Sequence, residues 1–394
     1  MHYTYAVLGA GRQGVAAAYD MARHGDAVAV LLADVDLAVA KAGAERVNRL
    51  LSSDSVRAAQ VDVSNEAELI AFLADVDAAL SAAPYRFNVG ISRAAIASRT
   101  HLCDLGGNTD IVWQQLALDA EARAAGVSVI PDCGLQPGMG NTLAAYAMAQ
   151  MSHPREVRIW VGGLPQKPSP PFDFSLTFNV EGLTNEYDGN AVVLRGGRRV
   201  ELPAFTEVEM VDFPAPVGRC EAFITVGGTS TCPWTFEGVL EVYEEKTVRY
   251  PGHAAVFRAF RDLGLFDRVP VPVNGQSVVP REVYHTLLEP KITFPCNRDI
   301  VVLRVACRGR DNGREKEVVI DLMDFYDVET GFSAMERTTG WAAAIVAQMM
   351  ARGETPPGAV PLEQSVPPAS FMAQARQRGF VFTEQVKTIE KLLG

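Results

Sequence analysis

Along the first 135 residues, short apolar runs alternate with stretches whose apolar positions recur every three to four residues. That alternation predicts a parallel sheet flanked by helices. Tyr3–Leu8 predicts the first strand and residues 12–24 a helix. Ala27–Ala33 is small or branched throughout, which predicts a strand buried on both faces. A helix over Asp36–Leu51, a strand over Val56–Val63 and a helix after Asn65 follow, then a fourth strand over Ala78–Ala83 that stops at Pro84. Helix 86–98, strand His101–Leu105, helix 109–125 and strand Val127–Pro131 continue the series.

Beyond residue 155 the pattern changes. Arg155–Gly162, Phe174–Val180, Val192–Leu202, Ala222–Gly227 and Leu240–Tyr250 predict strands with few helices between them. Arg304–Arg308 and Val318–Leu322 flank Asp311-Asn312-Gly313, a hairpin signal because Asn-Gly tolerates the positive φ of a tight turn. Gly340–Arg352 returns to helix, and prolines 356, 357, 361, 367 and 368 break the tail before a short C-terminal helix. The fold class expected is α/β: a Rossmann doubly wound parallel sheet with a second α+β domain of mostly antiparallel sheet.

With 394 residues, two domains are the natural expectation. Acidic side chains outnumber basic ones by 47 to 36, which argues against nucleic acid as a partner. The six cysteines fall singly, with no C-x-x-C pair, so no metal site is expected and a reducing cytoplasm suits them. No leader and no apolar run of ~20 residues is legible, so no membrane partner is expected.

Gly9-Ala10-Gly11-Arg12-Gln13-Gly14 fits G-x-G-x-x-G between a predicted strand and a predicted helix. Gly9 would make the tight turn, Gly11 would let the backbone approach a pyrophosphate, and Gly14 would let helix and strand pack closely. The helix N-terminus, with Arg12 and Gln13 in its first turn, offers free N–H groups to the phosphates. Asp34 ends the second strand twenty residues beyond Gly14. A carboxylate there accepts hydrogen bonds from the adenosine ribose and repels a 2′-phosphate. No Lys or Arg follows before Lys41, so the cofactor expected is NAD. Asp36 is the better candidate to cap the next helix. Asp62 and Val63 are expected beside the adenine, and Ala82, Ala83 and Pro84 over the pyrophosphate or nicotinamide ribose. Ordinary turn chemistry at strand ends accounts for either set equally well.

Four further segments carry a resemblance. They are Leu105-Gly106-Gly107-Asn108, Pro131-Asp132-Cys133-Gly134-Leu135-Gln136-Pro137-Gly138, Thr231-Cys232-Pro233-Trp234-Thr235-Phe236-Glu237-Gly238 and Arg249-Tyr250-Pro251-Gly252-His253. With Arg337-Thr338-Thr339-Gly340-Trp341, they make the chain resemble the saccharopine dehydrogenase-like superfamily, and within it the L-lysine 6-dehydrogenases. The resemblance implies a Rossmann domain of residues 1–134 completed by 336–394, with a substrate and oligomerisation domain of 135–335 between. It also implies a small amino-acid substrate, a homodimer or larger homo-oligomer, and NAD-dependent deamination of the lysine ε-amine. Relatives that reductively join an amine to a carbonyl keep a saccharopine-type or carboxynorspermidine-type reaction open. A non-catalytic NAD-binding subunit is the reading from another class.

Such chemistry needs a group to take a proton from the amine, and a water to hydrolyse the imine. Asp132 ends the sixth strand, where ligands bind in open α/β sheets, and either handles the amine or caps the glycine-rich segment after it. Cys133 beside it has no adjoining histidine and is expected to pack. Arg249 has the planar fork that suits a carboxylate, and His253 can exchange protons near neutral pH. The alternatives are an exposed strand-end charge and a ring that bonds the backbone. Asn108 either reaches the ligand or caps helix 109–125. Trp234 either walls a methylene chain or belongs to the core. Arg195, Arg198 and Arg199 offer a second anion cluster or, more simply, a hairpin tip.

Overall fold

The computed structural model describes residues 2–294 and 298–389. In it the chain forms two compact units. The first runs to Tyr146 and takes back Val328–Phe332 and Glu336–Phe380; the second takes Ala147–Asp327, Ser333–Met335 and the chain from Val381 on.

The first unit begins β1 (Tyr3–Leu8), α1 (Arg12–His24), β2 (Ala27–Asp34), α2 (Leu37–Leu51), β3 (Val56–Gln60) and α3 (Glu66–Leu73). It continues β4 (Ala78–Ser81), α4 (Asn88–Ser98), β5 (His101–Asp104), α5 (Thr109–Leu116), α6 (Asp119–Ala125), β6 (Ser128–Ile130) and α7 (Met139–Met148), the last carrying the chain towards the second unit. The predicted helix over 109–125 is two helices, because the chain turns at Ala117 and Leu118.

The second unit holds β7 (His153–Pro165), α8 (Val180–Glu186), the β8 (Asn190–Arg195) and β9 (Arg198–Pro203) hairpin, β10 (Glu209–Asp212), β11 (Arg219–Ile224), α9 (Cys232–Thr235), β12 (Val242–Arg249) and α10 (His253–Asp262). A small hairpin of β13 (Val271–Val273) and β14 (Gln276–Val278), α11 (Pro280–Ile292), β15 (Asp299–Asp311) and β16 (Arg314–Phe325) follow. The chain then passes α12 (Ala334–Glu336), a π-helical turn over Arg337–Trp341, α13 (Ala342–Ala351), β17 (Gly358–Ala359), α14 (Leu362–Ser365) and α15 (Pro368–Gln377), and ends on β18 (Phe382–Ile389).

Among the described residues the first sheet has the order β17-β6-β5-β4-β1-β2-β3, and its pairs are parallel. The order reverses between β4 and β1, the switch point at whose carboxyl edge ligands bind in such sheets. The second sheet runs β10-β11-β12-β7-β15-β16-β18, with the β8–β9 hairpin attached to β12. Its neighbours are antiparallel except β12 beside β7.

Three expectations need correction here. Phe174–Val180 has the period-two apolar pattern of a strand, yet Phe174, Leu176 and Val180 join one core cluster with Leu183 of α8, Phe257 of α10 and Tyr284 of α11. A core side chain satisfies the pattern without a sheet ladder. Val192–Leu202 is a hairpin rather than one strand, turned at Gly196 and Gly197, both at positive φ. The short helix expected after the prolines is α15, but the tail runs on past it into the second unit: β18 pairs antiparallel with β16, setting Val386 opposite Val318 and Phe382 opposite Leu322. The first unit, for its part, extends past residue 134 to Tyr146.

No helix among the described residues is long and apolar enough to cross a membrane. Cys103, Cys133, Cys220, Cys232 and Cys307 are buried and form no disulfide among the described residues, and Cys296 lies outside the described residues.

Candidate functional site

In the first unit the glycine-rich turn closes between β1 and α1. Gly9 has φ +106°, and a Cβ on it would lie 2.8 Å from the Ala82 carbonyl oxygen, so the turn and the β4 loop touch backbone to backbone. A Cβ on Gly14 would overlap the Gly9 carbonyl, whereas one on Gly11 would meet nothing within 4 Å. Open space over Gly11 is what a pyrophosphate needs. α1 has no side-chain cap, so its first N–H groups stay available to an anion. The side-chain oxygen of Gln13 is buried without a hydrogen-bond partner, and Arg12 is exposed.

Asp34 stands at the end of β2 with one carboxylate oxygen on the Ala10 N–H (2.9 Å) and the other on the Asp36 N–H (3.0 Å). The Asp36 side chain accepts from Ala38 N–H at 2.8 Å and caps α2. These residues fit a dinucleotide: open backbone for the phosphates, a fixed acid for the ribose and an unpartnered amide oxygen in the first turn. Asp62 is exposed and turns the chain by accepting from the hydroxyl (2.7 Å) and N–H (2.9 Å) of Ser64, bonds that hold its pKa below the usual range. Val63, Ala82 and Ala83 are partly exposed and Pro84 is exposed, so these strand-end loops stay open.

Two neighbouring loops meet over Asp104, the last residue of β5. One of its buried oxygens accepts from both Gly106 N–H (2.8 Å) and Asp132 N–H (3.2 Å), and the other accepts from the Gln115 side chain (2.7 Å). Gln115 also reaches Ser92, and Ser92 bonds the carbonyl of Asn88. Burial pushes the Asp104 carboxyl up despite these donors. Asp104 thereby ties the loop after β5 to the loop after β6. Asp132 itself is buried in left-handed backbone (φ +61°), and its carboxylate lies so close over Gly106 that a Cβ there would overlap it. A Cβ on Gly107, at φ +123°, would meet the Tyr85 ring at 3.1 Å. Asp104 and Tyr85 belong to this arrangement and escaped the sequence reading. The Gly-Gly pair was the signal that something packs against bare backbone.

Two expectations at these loops fare differently. The Asn108 side chain accepts from Ile111 N–H at 3.1 Å and caps α5, the second of the two roles expected for it. Cys133 is buried, its thiol faces the Ile130 carbonyl at 3.3 Å, and burial raises its pKa well above normal, so it packs.

The second unit holds a buried polar cluster at the end of β12. Period two puts Glu245, Thr247 and Arg249 on one face of that strand, and the antiparallel register sets Glu221 opposite Arg249. Arg249 is 3% exposed, so it is no surface charge. Its Nε donates to the Tyr187 hydroxyl (2.9 Å) and its Nη1 to the Val248 carbonyl (3.0 Å). The guanidinium lies 5.1 Å from the Phe174 ring centre. The Tyr187 hydroxyl, which accepts from Arg249, also shares a hydrogen bond with His253 Nε2, 2.9 Å away.

His253 begins α10, stacked on Phe257 with 4.0 Å between ring centres. Burial first, and the nearby Arg249 charge second, hold its pKa well below normal. Its ring is thus buried and neutral, and the partner it meets is the Tyr187 hydroxyl. Glu221 satisfies the α10 N-terminus by accepting from Gly252 N–H (2.9 Å) and Ala254 N–H (2.6 Å). Glu245 is pushed up to about 8, first by burial and then by Glu186, and accepts from the Thr225 hydroxyl at 3.2 Å. Glu186 is raised to about 7 by burial. Yet 34% of its side chain is open to water, whose screening works against that rise. Tyr187, Glu186, Glu245 and Glu221 carry no local motif and were missed.

Trp234 falls on α9 and packs under the Arg199 guanidinium, 5.4 Å from its ring centre. Arg199 is bound to Glu237 (2.9 Å), and Arg195 to Glu207 (2.8 Å) and Glu244. The arginine triplet is thus a hairpin whose charges at 195 and 199 are already matched.

Comparison with known proteins adds the following. A family model described as the saccharopine dehydrogenase NADP binding domain matches residues 5–130, and one described as the saccharopine dehydrogenase C-terminal domain matches residues 134–380. The chain is 24% identical to a carboxynorspermidine synthase of Vibrio cholerae, over 91% of this chain and 92% of that protein. It is 22% identical to a saccharopine dehydrogenase (NADP(+), L-glutamate-forming) of Saccharomyces cerevisiae, over 66% of this chain and 59% of that protein. The solved apo structure of the yeast L-glutamate-forming saccharopine dehydrogenase superposes with a TM-score of 0.78 at 19% identity, covering 98% of this chain and 100% of that one.

Proposed function

The chain belongs to the saccharopine dehydrogenase family, and from that premise we propose that it oxidises the ε-carbon of L-lysine with NAD and releases the ε-nitrogen as ammonia. The observation that carries the reading is Asp132, a buried carboxylate fixed over Gly106 at the carboxyl edge of the parallel sheet. Asp104, Gly106 and the left-handed backbone of Asp132 hold it in place.

The dinucleotide supplies a hydride acceptor when bound. The Gly9–Gly14 turn and the α1 N-terminus would hold its phosphates, Asp34 its ribose hydroxyls, and Ala82–Pro84 the neighbouring ribose. The lysine ε-ammonium enters charged, because its pKa is about 10 in water. Asp132 pairs with it, takes its proton as the carbon gives up hydride, and later returns a proton while water adds to the imine. The resulting semialdehyde closes on its own α-amine to give Δ1-piperideine-6-carboxylate. The family model and the yeast relative both carry NADP in their descriptions. NAD use by this chain rests on Asp34, with Asp36 adding a second negative charge at the same strand end.

A second reading, reductive joining of an amine to a carbonyl, is favoured by the match along most of the Vibrio cholerae carboxynorspermidine synthase. The arginines that would hold a second carboxylated partner, Arg195 and Arg199, are already paired with Glu207, Glu244 and Glu237. Isotope labelling tests the first reading. Lysine deuterated at the ε-carbon should give deuterated NADH, and α-deuterated lysine should not. Transfer from the α-carbon sinks the ε-reading. NADH consumption that requires both an amine and an aldehyde or keto acid establishes the second.

A further inference from the structure

We propose that Glu186 and Arg249 form a head-group subsite for an α-amino acid, with the open Nη2 edge of Arg249 taking the carboxylate and Glu186 the α-ammonium. The inference rests on the reading that the substrate is an amino acid, and it assigns to that substrate a pair of opposite charges.

The guanidinium is oriented and yet incomplete. Nε is committed to Tyr187 and Nη1 to the Val248 carbonyl, while the Phe174 ring lies against the guanidinium. Tyr187 is held in turn by neutral His253, so this chain of hydrogen bonds locks the plane of the fork. Nη2 makes no hydrogen bond among the described residues: its near carboxylate, Glu186 Oε2, stands 3.8 Å away, beyond hydrogen-bond reach. A buried arginine with one N–H edge open is a vacancy for an anionic oxygen.

The surrounding acids do not fill it. Glu221 is taken up by the start of α10, and Glu245, 2% exposed, accepts from Thr225 behind the strand. Its carboxyl, pushed up to about 8, is mostly neutral at pH 7 and leaves the Arg249 charge available. Glu186 alone among these acids keeps a third of its side chain in water. A cation buried at one side and a wet carboxylate 3.8 Å from it match the adjacent carboxylate and ammonium of an α-amino acid. A monocarboxylate or a simple amine satisfies one of the two groups and leaves the other as it was.

Calorimetric titration of the full chain with L-norleucine, hexanoate and pentylamine separates these contributions, because none of the three carries an ε-nitrogen. L-Norleucine should bind about tenfold or more tightly than either of the others, as charge-assisted hydrogen bonds at both groups require. Glu186→Gln should bring norleucine to within about twofold of hexanoate, and Glu186→Asp should restore part of the preference. NADH affinity should not change in either variant. Norleucine binding no tighter than hexanoate in the unaltered protein overturns the subsite, as does an undiminished preference in Glu186→Gln. Norleucine selectivity without lysine turnover keeps the subsite and removes the lysine reading. Lysine turnover at unchanged KM in Glu186→Gln does the reverse.

Discussion

Asp34 does two things with one carboxylate. It accepts from the Ala10 N–H, bracing the glycine-rich turn, and from the Asp36 N–H, bracing the entry to α2. Both bonds aim a negative group where an adenosine ribose hydroxyl, or a 2′-phosphate, would come. Asp34→Ala should therefore narrow the preference for NAD over NADP by about tenfold or more, from lost hydrogen bonds and relieved repulsion. The readout is kcat/KM with each cofactor, and an unaltered protein that prefers NADP defeats the assignment. This residue was legible because spacing after a glycine motif fixes it. Glu186 and Tyr187 were not, because they end a short helix inside a segment the apolar pattern predicts as strand and loop. Arg249 stood out as an arginine before a Tyr-Pro-Gly turn. Its partners are brought to it by sheet register and helix packing, which no local pattern encodes.

At the level of elements, the order of the parallel half was readable and most of its strands fell within a few residues, because each buried strand ends at its own turn signal. β17 was missed, however, and one helix was expected where α5 and α6 are two. The second half was harder, since strands, hairpins and core-filling loops share a period-two apolar pattern. α11 received no assignment, although Arg281, Tyr284, Leu288 and Ile292 are buried at helical spacing along it. The π-helical turn over Arg337–Trp341 starts three residues ahead of the helix expected from Gly340. Its Gly340 packs bare against α1: a Cβ would lie 2.7 Å from the Gln13 carbonyl oxygen and 3.0 Å from the Ala16 Cβ. Neither is the mobile end of a flexible side chain. Gly340→Ala should cost about 1–3 kcal/mol by overpacking. It should also weaken NADH binding, because the displaced peptide lies in the first turn of α1. Denaturant unfolding and an NADH fluorescence titration measure the two effects. Lost stability with unchanged NADH affinity would show that the π turn supports the helix without reaching the cradle.

For the whole molecule, the order of the chain raises a problem of assembly. Strands β1 to β6 and α1 of the first unit precede the second unit in sequence, but α13, β17 and α15 of the first unit follow it. One contact that joins these ends is a buried ion pair between Asp20 of α1 and Arg378 just after α15, separated by 358 positions in the chain. Arg378 Nε reaches Asp20 at 2.7 Å, its Nη2 reaches Gln348 at 2.7 Å, and the Gln348 amide returns to Asp20 at 2.8 Å. The side chains of the pair are 1–2% exposed, so water cannot replace a lost partner. Removing one member of such a pair strands the other charge in the core and costs about 3–5 kcal/mol, whereas an apolar pair of similar volume is tolerated far better. Arg378→Met should accordingly lower the denaturant midpoint of the first unit sharply, and adding Asp20→Leu should recover much of the loss. A pyridine nucleotide that binds the folded unit alone should raise the apparent stability of each variant by mass action. A single variant no less stable than the double variant would mean that Asp20 is not stranded. The closure of the first unit would then rest on the apolar packing of α13 and α15 alone.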